Sequence, residues 1–142
     1  SAATVTGVGK ILQVVSATYG TQVTTTSTGY VTTNLTATIT PSSATSKILV
    51  LAFTSAQSSN SSRIAYFTIF RGTVAGTSLD VCQIKGGGAN LRVGVMMSNL
   101  DSPSTTSAQV YTLGFKVNVG DNTATAFQDG AQGSMTLMEV SA

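Results

Sequence analysis

The stretch Tyr111–Val119, YTLGFKVNV, decides the fold class because apolar residues occupy every second position. Its odd-numbered positions are all apolar, whereas its even-numbered positions carry threonine, glycine, lysine and asparagine. A period of two turns one face of a strand to a core and the other to water, as in an antiparallel sheet. The same alternation runs from Leu35 to Thr40, and Pro41 then ends that strand because proline has no N–H for the ladder.

The rest of the chain also has the sequence pattern of strands. Threonine and valine abound, no stretch has the apolar period of a helix, and clusters of Gly, Ser, Asn and Pro separate the strand-like runs. We predict strands near residues 10–18, 22–31, 34–40, 47–56, 63–71, 78–84, 90–99, 107–119, 123–128 and 133–140. This spacing predicts an all-β antiparallel sandwich of the jelly-roll kind over residues 10–142, after a lead-in segment at 1–9.

Composition excludes several classes of protein. The 142 residues are 42% hydrophobic and only 8% charged, with 24 Thr and 18 Ser. A disordered chain has the opposite balance, and a nucleic-acid binder clusters its basic residues, whereas the seven Lys and Arg are scattered here. No apolar run approaches the roughly 20 residues of a membrane span. We therefore expect neither nucleic acid as a partner nor membrane insertion.

The reactive side chains argue against an enzyme. The chain has no His and a single cysteine, Cys82, so a Ser or Thr nucleophile lacks its usual base and no cysteine-rich metal site is possible. We expect no cofactor. Asp121 and Asp129 could act as a glycosidase pair or, with Asn122, as a calcium site. The favoured interpretation is that both acids cap turns, in Asp121-Asn122 and Asp129-Gly130.

Several strands are apolar on both faces, namely 48–53, 64–70, 93–97 and 135–140. Both faces of such strands must be covered, and the sequence offers no helices for this, so we expect another subunit to cover the second face. The candidate subunit-interface residues are Phe67, Ile69, Met96, Met138 and Glu139. A carboxylate in an apolar strand needs a partner, so Glu139 either pairs with Arg63, Arg71 or Arg92 or lies at a solvated strand end.

Four stretches resemble the C-terminal domains of tailed-bacteriophage fibre and virion structural proteins. They are GKILQVV at 9–15, TITPSSATSKILV at 38–50, YTL at 111–113 and MTLMEV at 135–140. The resemblance spans residues 9–140, and the 38–50 stretch is its most specific part. It implies a homotrimeric β-sandwich, similar in style to tumour-necrosis-factor and complement-C1q head domains, at the surface of a virion. It implies no catalytic residues.

The leading hypothesis is a non-enzymatic virion module that caps a fibre or decorates a capsid, contacts other virion proteins and binds a host-surface glycan or receptor. Its candidate binding loops are 57–62, 72–77, 85–90, 100–106 and 120–132, with ligand-binding candidates Asn60, Arg92, Asp121, Asn122 and Asp129. Tyr19, Tyr30 and Phe127 are candidate stacking platforms, although ordinary strand packing is the favoured interpretation for each. The alternatives are a self-assembling jelly-roll capsid subunit and a small glycan-active hydrolase.

Overall fold

The structure, a computed structural model, describes residues 9–86 and 91–142, which form two antiparallel sheets packed face to face. The strands are β1 (Ile11–Tyr19), β2 (Val23–Thr25), β3 (Val31–Ile39), β4 (Lys47–Ser58), β5 (Ile64–Arg71), β6 (Thr77–Lys85), β7 (Val93–Asp101), β8 (Gln109–Val117), β9 (Ala124–Ala126) and β10 (Gly133–Val140). Within these ranges the only helical element is one 3-10 turn, Gln128–Gly130. None of the described residues forms a helix capable of crossing a membrane.

The strand order identifies a jelly roll. Sheet I has the order β1-β10-β4-β7, and the short strands β9 and β2 extend it beside the end of β4. Sheet II has the order β3-β8-β5-β6. Eight antiparallel strands that alternate between two sheets in this way form the two Greek keys of a jelly roll. The predicted all-β antiparallel sandwich is therefore confirmed.

The core lies between the sheets and follows the alternation read from the sequence. The odd-numbered residues of β8 from Tyr111 to Val117 are buried, as are the odd-numbered residues of β3 from Thr33 to Ile39. From β5, Phe67 and Ile69 enter the same core and are fully buried by the chain itself. Their predicted place at a subunit interface is wrong, because an inward-facing side chain cannot reach a neighbouring subunit.

The outer face of β5 is covered by the chain's own loops. Thr68 and Phe70 are buried on this face, where the Thr68 hydroxyl donates to the Tyr30 hydroxyl at 2.7 Å and the Tyr30 ring meets Phe70 edge-on at 5.0 Å. The side chain of Lys116 lies over the Tyr30 ring. The predicted strand at 22–31 is thus mostly wrong: only Val23–Thr25 pairs as β2 before Tyr30 folds over sheet II. No second subunit is needed to cover β5.

Candidate functional site

The topology brings all five ligand-binding candidates to one end of the sandwich. The β4–β5, β8–β9 and β9–β10 connections lie there, and so do Gly86 and Arg92 at the ends of β6 and β7; residues 87–90 of the candidate loop 85–90 fall outside the described part of the chain. Hydrogen bonds join these connections, for example from the Ser59 backbone N–H to the Thr123 carbonyl at 3.0 Å. We call this end the loop end. The candidate loops 72–77 and 100–106 lie at the opposite end.

Asn122 joins the β8–β9 connection to the β4–β5 connection by hydrogen bonds. Its side chain is fully buried, and its Oδ1 accepts the backbone N–H of Asn60 at 3.1 Å and the Ser59 hydroxyl at 3.3 Å. Its Nδ2 donates to the Ser58 hydroxyl at 2.9 Å. The prediction that Asn122 binds a ligand is therefore wrong. Its amide group forms its hydrogen bonds within the fold and is not accessible to solvent. The Asn60 side chain accepts the Ser62 N–H at 3.0 Å.

Arg63 and Asp121 form a two-pronged ion pair at the loop end. Arg63 Nε lies 2.9 Å from Asp121 Oδ1, and Nη2 lies 2.8 Å from Oδ2. These hydrogen bonds lower the pKa of Asp121 and raise the pKa of Arg63. Both side chains reach solvent, so the pair contributes little to stability.

Asp129 is paired with a different arginine. Arg92 Nη1 lies 2.5 Å from Asp129 Oδ2, and the Asp129 backbone N–H donates to the Gln22 side chain at 2.9 Å. Asp121 and Asp129 are thus bound to different arginines, and their role as a glycosidase pair stays a prediction. Within residues 9–86 and 91–142, no three or more Asp, Glu or Cys side chains cluster as a metal site would require.

The aromatic candidates pack against other rings of the chain, Phe127 fully buried and Tyr19 and Tyr30 half-buried. The Phe127 ring is fully buried and lies 5.2 Å from the Tyr19 ring, and Tyr30 is engaged with Phe70 as described above. Phe127 has a positive φ of 55°, which is uncommon for an aromatic residue and turns the chain sharply after β9. These rings stabilise the sandwich, as the favoured interpretation of each predicted.

Glu139 is a buried carboxylate held by uncharged donors. Its Oε2 accepts Gln13 Nε2 at 2.6 Å, and its Oε1 accepts both the backbone N–H and the hydroxyl of Ser42 at 2.7 Å. Burial raises the pKa of Glu139, but hydrogen bonds from Gln13, Ser42 and Ser46 outweigh that effect and lower the pKa to about 2. The carboxylate thereby ties the β3–β4 connection to β10 and β1.

Both predictions made for Glu139 are wrong. It has no arginine partner, since Arg63 pairs with Asp121, Arg71 with Asp101 and Arg92 with Asp129. Nor can its carboxylate belong to a subunit interface or a solvated strand end, because the side chain is enclosed by its own chain. Neutral hydrogen-bond donors satisfy it in place of a counter-charge.

Asp101 is a second buried acid, which the sequence patterns did not predict. It lies at the end opposite the loop end, where Tyr111 donates its hydroxyl hydrogen to Asp101 Oδ2 at 2.8 Å and Arg71 Nη1 lies 3.2 Å from both carboxylate oxygens. Burial, followed by the hydrogen bond to Asp101, raises the pKa of Tyr111. The available signal was Tyr111 itself, because a tyrosine in a buried strand usually needs a partner for its hydroxyl.

The outer face of sheet I is poor in charge, and Lys47, the first residue of β4, lies at one end of it opposite Val140. Sixteen further outward positions on β1, β10, β4 and β7 carry no ionisable side chain: Leu12, Val14, Ser16, Thr18, Ser134, Thr136, Met138, Val140, Leu49, Leu51, Phe53, Ser55, Gly94, Met96, Ser98 and Leu100. We call these sixteen residues the uncharged face. The strand register aligns Val14, Met138, Leu49 and Leu100 in one wholly apolar row across all four strands. Tyr30 covers the outer face of β5, whereas the contacts described show no loop with an aromatic side chain across this row.

The uncharged face has both a depression and a projection. The depression, of about 210 Å³, is lined by Leu51, Ala52, Phe53, Met96, Ser134 and Thr136. Met96 stands beside it and is 76% exposed, the largest exposed fraction among the large apolar side chains described. Of the five predicted interface residues, therefore, Met96 and Met138 lie on this exposed face, and the other three are internal.

Comparisons with known proteins identify remote structural neighbours. No family model matches the chain, and no curated protein matches it. A protein of Bacillus endospore appendages, described as disulfide-linked pili, aligns over 100% of this chain and 98% of its own at 11% identity and a TM-score of 0.37. VP2 of the infectious bursal disease virus subviral particle aligns over 92% of this chain at 13% identity and a TM-score of 0.48, and VP2 of the Gx strain over 91% at 17% and 0.47.

The chain spans 36–37% of the length of these VP2 chains. Similarities this remote assign no function, and the jelly roll is identified from the chain's own strand order.

Proposed function

We propose that this chain is a non-enzymatic structural module of a virion, a homotrimer located at a fibre tip or on the capsid surface. The observation that carries the proposal is the uncharged face. Four adjacent strands expose an apolar row that is flanked on one side by Ser16, Thr136 and Ser98, and a monomeric protein rarely exposes a contiguous patch of this kind. A module whose outer sheet is covered in an assembly explains the pattern.

Two further features support a structural role in a virion. The sequence from 38 to 50, with the segments at 9–15 and 135–140, resembles virion proteins of tailed bacteriophages. The jelly roll is also an architecture of viral capsid domains, although the same fold occurs in lectins and cupins and is an analogy only. With charged residues at 8%, the surface is covered by hydroxyl groups, which suits a durable extracellular particle.

A self-assembling capsid subunit is the second candidate. The strand orders β1-β10-β4-β7 and β3-β8-β5-β6 favour it, because eight-stranded jelly rolls of this kind build capsid shells. A capsid subunit needs contacts on several sides, whereas a trimeric module needs one repeated contact. The two candidates therefore differ in the size of the particle that the purified chain forms.

Host recognition would use the loop end, where the strands that carry the uncharged face end. The charged groups that reach solvent there include Arg63, Arg92, Asp121 and Asp129, and the side chain of Asn60 is half-buried beside them. Their ion pairs leave carboxylate and guanidinium edges free to hydrogen-bond sugar hydroxyls. A glycan array with the wild-type chain and an Arg92→Ala variant tests this part of the proposal, and equal glycan binding by both would remove Arg92 from it.

The experiment that tests the function measures the mass of the purified chain by light scattering and images it by negative-stain microscopy. We expect a discrete particle of three times the 14.4 kDa chain mass. Closed shells of many copies would support the capsid-subunit candidate and contradict the trimeric module. A single chain at every concentration would overturn both. Antibodies raised against the chain should label the surface of intact particles, and particles without label would contradict the virion location.

A further inference from the structure

We propose that a strip of side chains on the outer face of sheet II binds an acidic sugar, whose carboxylate pairs with Lys116. The strip crosses three strands beside the loop end: Gln83 on β6 lies opposite Tyr66 on β5, and Tyr66 lies opposite Lys116 on β8. Tyr30, just before β3, completes it. We call these four residues the lysine strip. The inference rests on the host-recognition part of the proposed function and deepens it by naming a class of ligand and a surface for it.

The lysine strip carries positive charge that no acid of the chain compensates. Every Lys, Arg, Asp and Glu lies in the described ranges, and there each of the three arginines forms an ion pair with an aspartate, whereas none of the four lysines does. Two of these lysines, Lys116 and Lys85, lie on the outer face of sheet II. The rows on either side of the strip hold no acid either: Lys85, Ile64 and Asn118 towards the loop end, and Val81, Thr68 and Gly114 behind it. Such a surface attracts an anion.

Two aromatic rings hold the Lys116 ammonium in place. Its Nζ lies 4.6 Å from the centre of the Tyr30 ring and 5.2 Å from the centre of the Tyr66 ring, within the ~6 Å at which a ring attracts a cation. Tyr30 is itself fixed, because its hydroxyl accepts a hydrogen bond from Thr68 at 2.7 Å. The rings carry no net charge, so they position the ammonium without neutralising it. An anion that binds there does not have to order a mobile lysine, which lowers the entropic cost of binding.

The neutral groups of the strip favour a sugar as the carrier of the anion. The Tyr30 hydroxyl accepts from Thr68, so its own hydrogen can be donated elsewhere. Tyr66 adds a half-buried ring with a phenol group, and the exposed Gln83 adds an amide that both donates and accepts. A sugar has C–H groups that pack on an aromatic ring and hydroxyls that pair with phenol and amide groups. A carboxylate on that sugar would form the charge-assisted hydrogen bond with Lys116.

Other anionic partners match the lysine strip less well. A nucleic acid is bound through a series of Lys and Arg side chains along its phosphates, whereas the outer face of sheet II offers two lysines whose backbones lie about 12 Å apart, from the spacing and rise of the strands. An acidic peptide would bring several carboxylates to one ammonium. An inorganic anion would contact Lys116 and leave Tyr66 and Gln83 without a role.

The first measurement compares glycans on an array that pairs each uronic- or sialic-acid glycan with its neutral counterpart. We expect the wild-type chain to bind carboxylate-bearing glycans in preference to the neutral ones, and less tightly as salt is raised. The best-bound glycan is then titrated in solution and followed by tyrosine fluorescence. The chain has no tryptophan, and two of its four tyrosines belong to the lysine strip, so the fluorescence reports on this surface.

Three variants locate the binding. Lys116→Met keeps an unbranched side chain against the rings but removes the charge, and should weaken binding about tenfold or more. Gln83→Glu should weaken it similarly by placing a carboxylate beside Tyr66, and because Gln83 is exposed this variant should fold, which circular dichroism checks. Lys47→Met is the matched control, since Lys47 is also exposed and outside any ion pair described but lies on sheet I, and its affinity should equal that of the wild type.

Several results would overturn the lysine strip. Binding of no carboxylate-bearing glycan, or equal affinity of Lys116→Met and the wild type, would do so. Binding lost in Arg92→Ala but kept in Lys116→Met would place the glycan on the loop end instead. Equal binding of poly-aspartate or of a single-stranded oligonucleotide would overturn the sugar as the class of ligand. The particle mass is measured separately, so a trimer that binds no acidic glycan would overturn this inference and leave the virion module standing.

Discussion

Replacement of Glu139 by glutamine should remove a large, acid-sensitive contribution to stability. A carboxylate with a lowered folded pKa stabilises the fold above its unfolded pKa of 4.5, and this stabilisation is lost as the pH falls towards the folded value of about 2. At about 1.4 kcal/mol per pKa unit, the difference between the unfolded and folded pKa of Glu139 contributes on the order of 3 kcal/mol to the free energy of unfolding. Glutamine keeps the shape but points an amide donor at the Gln13 or Ser42 donors.

The measurement is urea unfolding of the wild type and Glu139→Gln at several pH values between 7 and 2. At neutral pH the variant should be less stable by about 2 to 3 kcal/mol, in the range expected for hydrogen bonds to a charged group. The difference should shrink as the pH falls below 4.5 and approach zero near 2, where the wild-type carboxyl group also becomes protonated.

Asp121→Asn is the matched control, because Asp121 also has a lowered pKa but lies in solvent with Arg63. Its difference from the wild type should be small at every pH. If Glu139→Gln keeps the wild-type stability at pH 7, or loses stability in parallel with the wild type down to pH 2, then the four hydrogen bonds to Glu139 are not what stabilises this corner of the sandwich.

Three further substitutions test the packing. Phe67→Ala should lower the free energy of unfolding in urea by about 3 to 5 kcal/mol, because the ring fills the chain's own core. Assembly of the folded variant should be unchanged, and weaker assembly would indicate that Phe67 belongs to a subunit interface. Asn122→Ala should lower stability by about 1 to 3 kcal/mol through the unpaired Asn60 N–H, and by more than Asn60→Ala, whose side chain is partly exposed; equal melting temperatures of the two would contradict the role of Asn122. Tyr111→Phe should cost about 1 to 3 kcal/mol by leaving Asp101 with one donor fewer, and unchanged thermal unfolding would refute it.

The sheets were predictable because their signal is local. Leu35–Ile39 and Tyr111–Val117 alternate with the period of a strand, and the structure buries the residues that this period assigns to the core. The segment at 22–31 was not predictable in the same way. Its threonines suit a strand, yet Tyr30 gains more by covering Thr68 and Phe70 on β5, and that contact joins residues far apart in sequence.

The partners of the buried polar residues could not be predicted without knowledge of the strand topology. Glu139 is satisfied by Gln13 and Ser42, which lie 126 and 97 residues away, and no spacing rule links such positions. The five ligand candidates share one end because the strands run antiparallel, so that the connections in which they lie return to the same end of the sandwich. The expectation of a covered second face was correct in its premise, since β4 and β7 are apolar on both sides. It was wrong for β5, where the chain supplies the cover.

Oxidation of Met96 tests the central claim most directly, because the claim is that assembly covers the uncharged face. Wild-type chain is treated with dilute peroxide at low and high protein concentration, and sulfoxide formation at each methionine is followed by mass spectrometry. Met97, which faces the core and is 4% exposed, serves as the internal reference. We expect Met96 to oxidise fast in dilute solution and to slow towards the rate of Met97 as copies assemble. Fast oxidation of Met96 at every concentration, with Met97 protected throughout, would contradict the account.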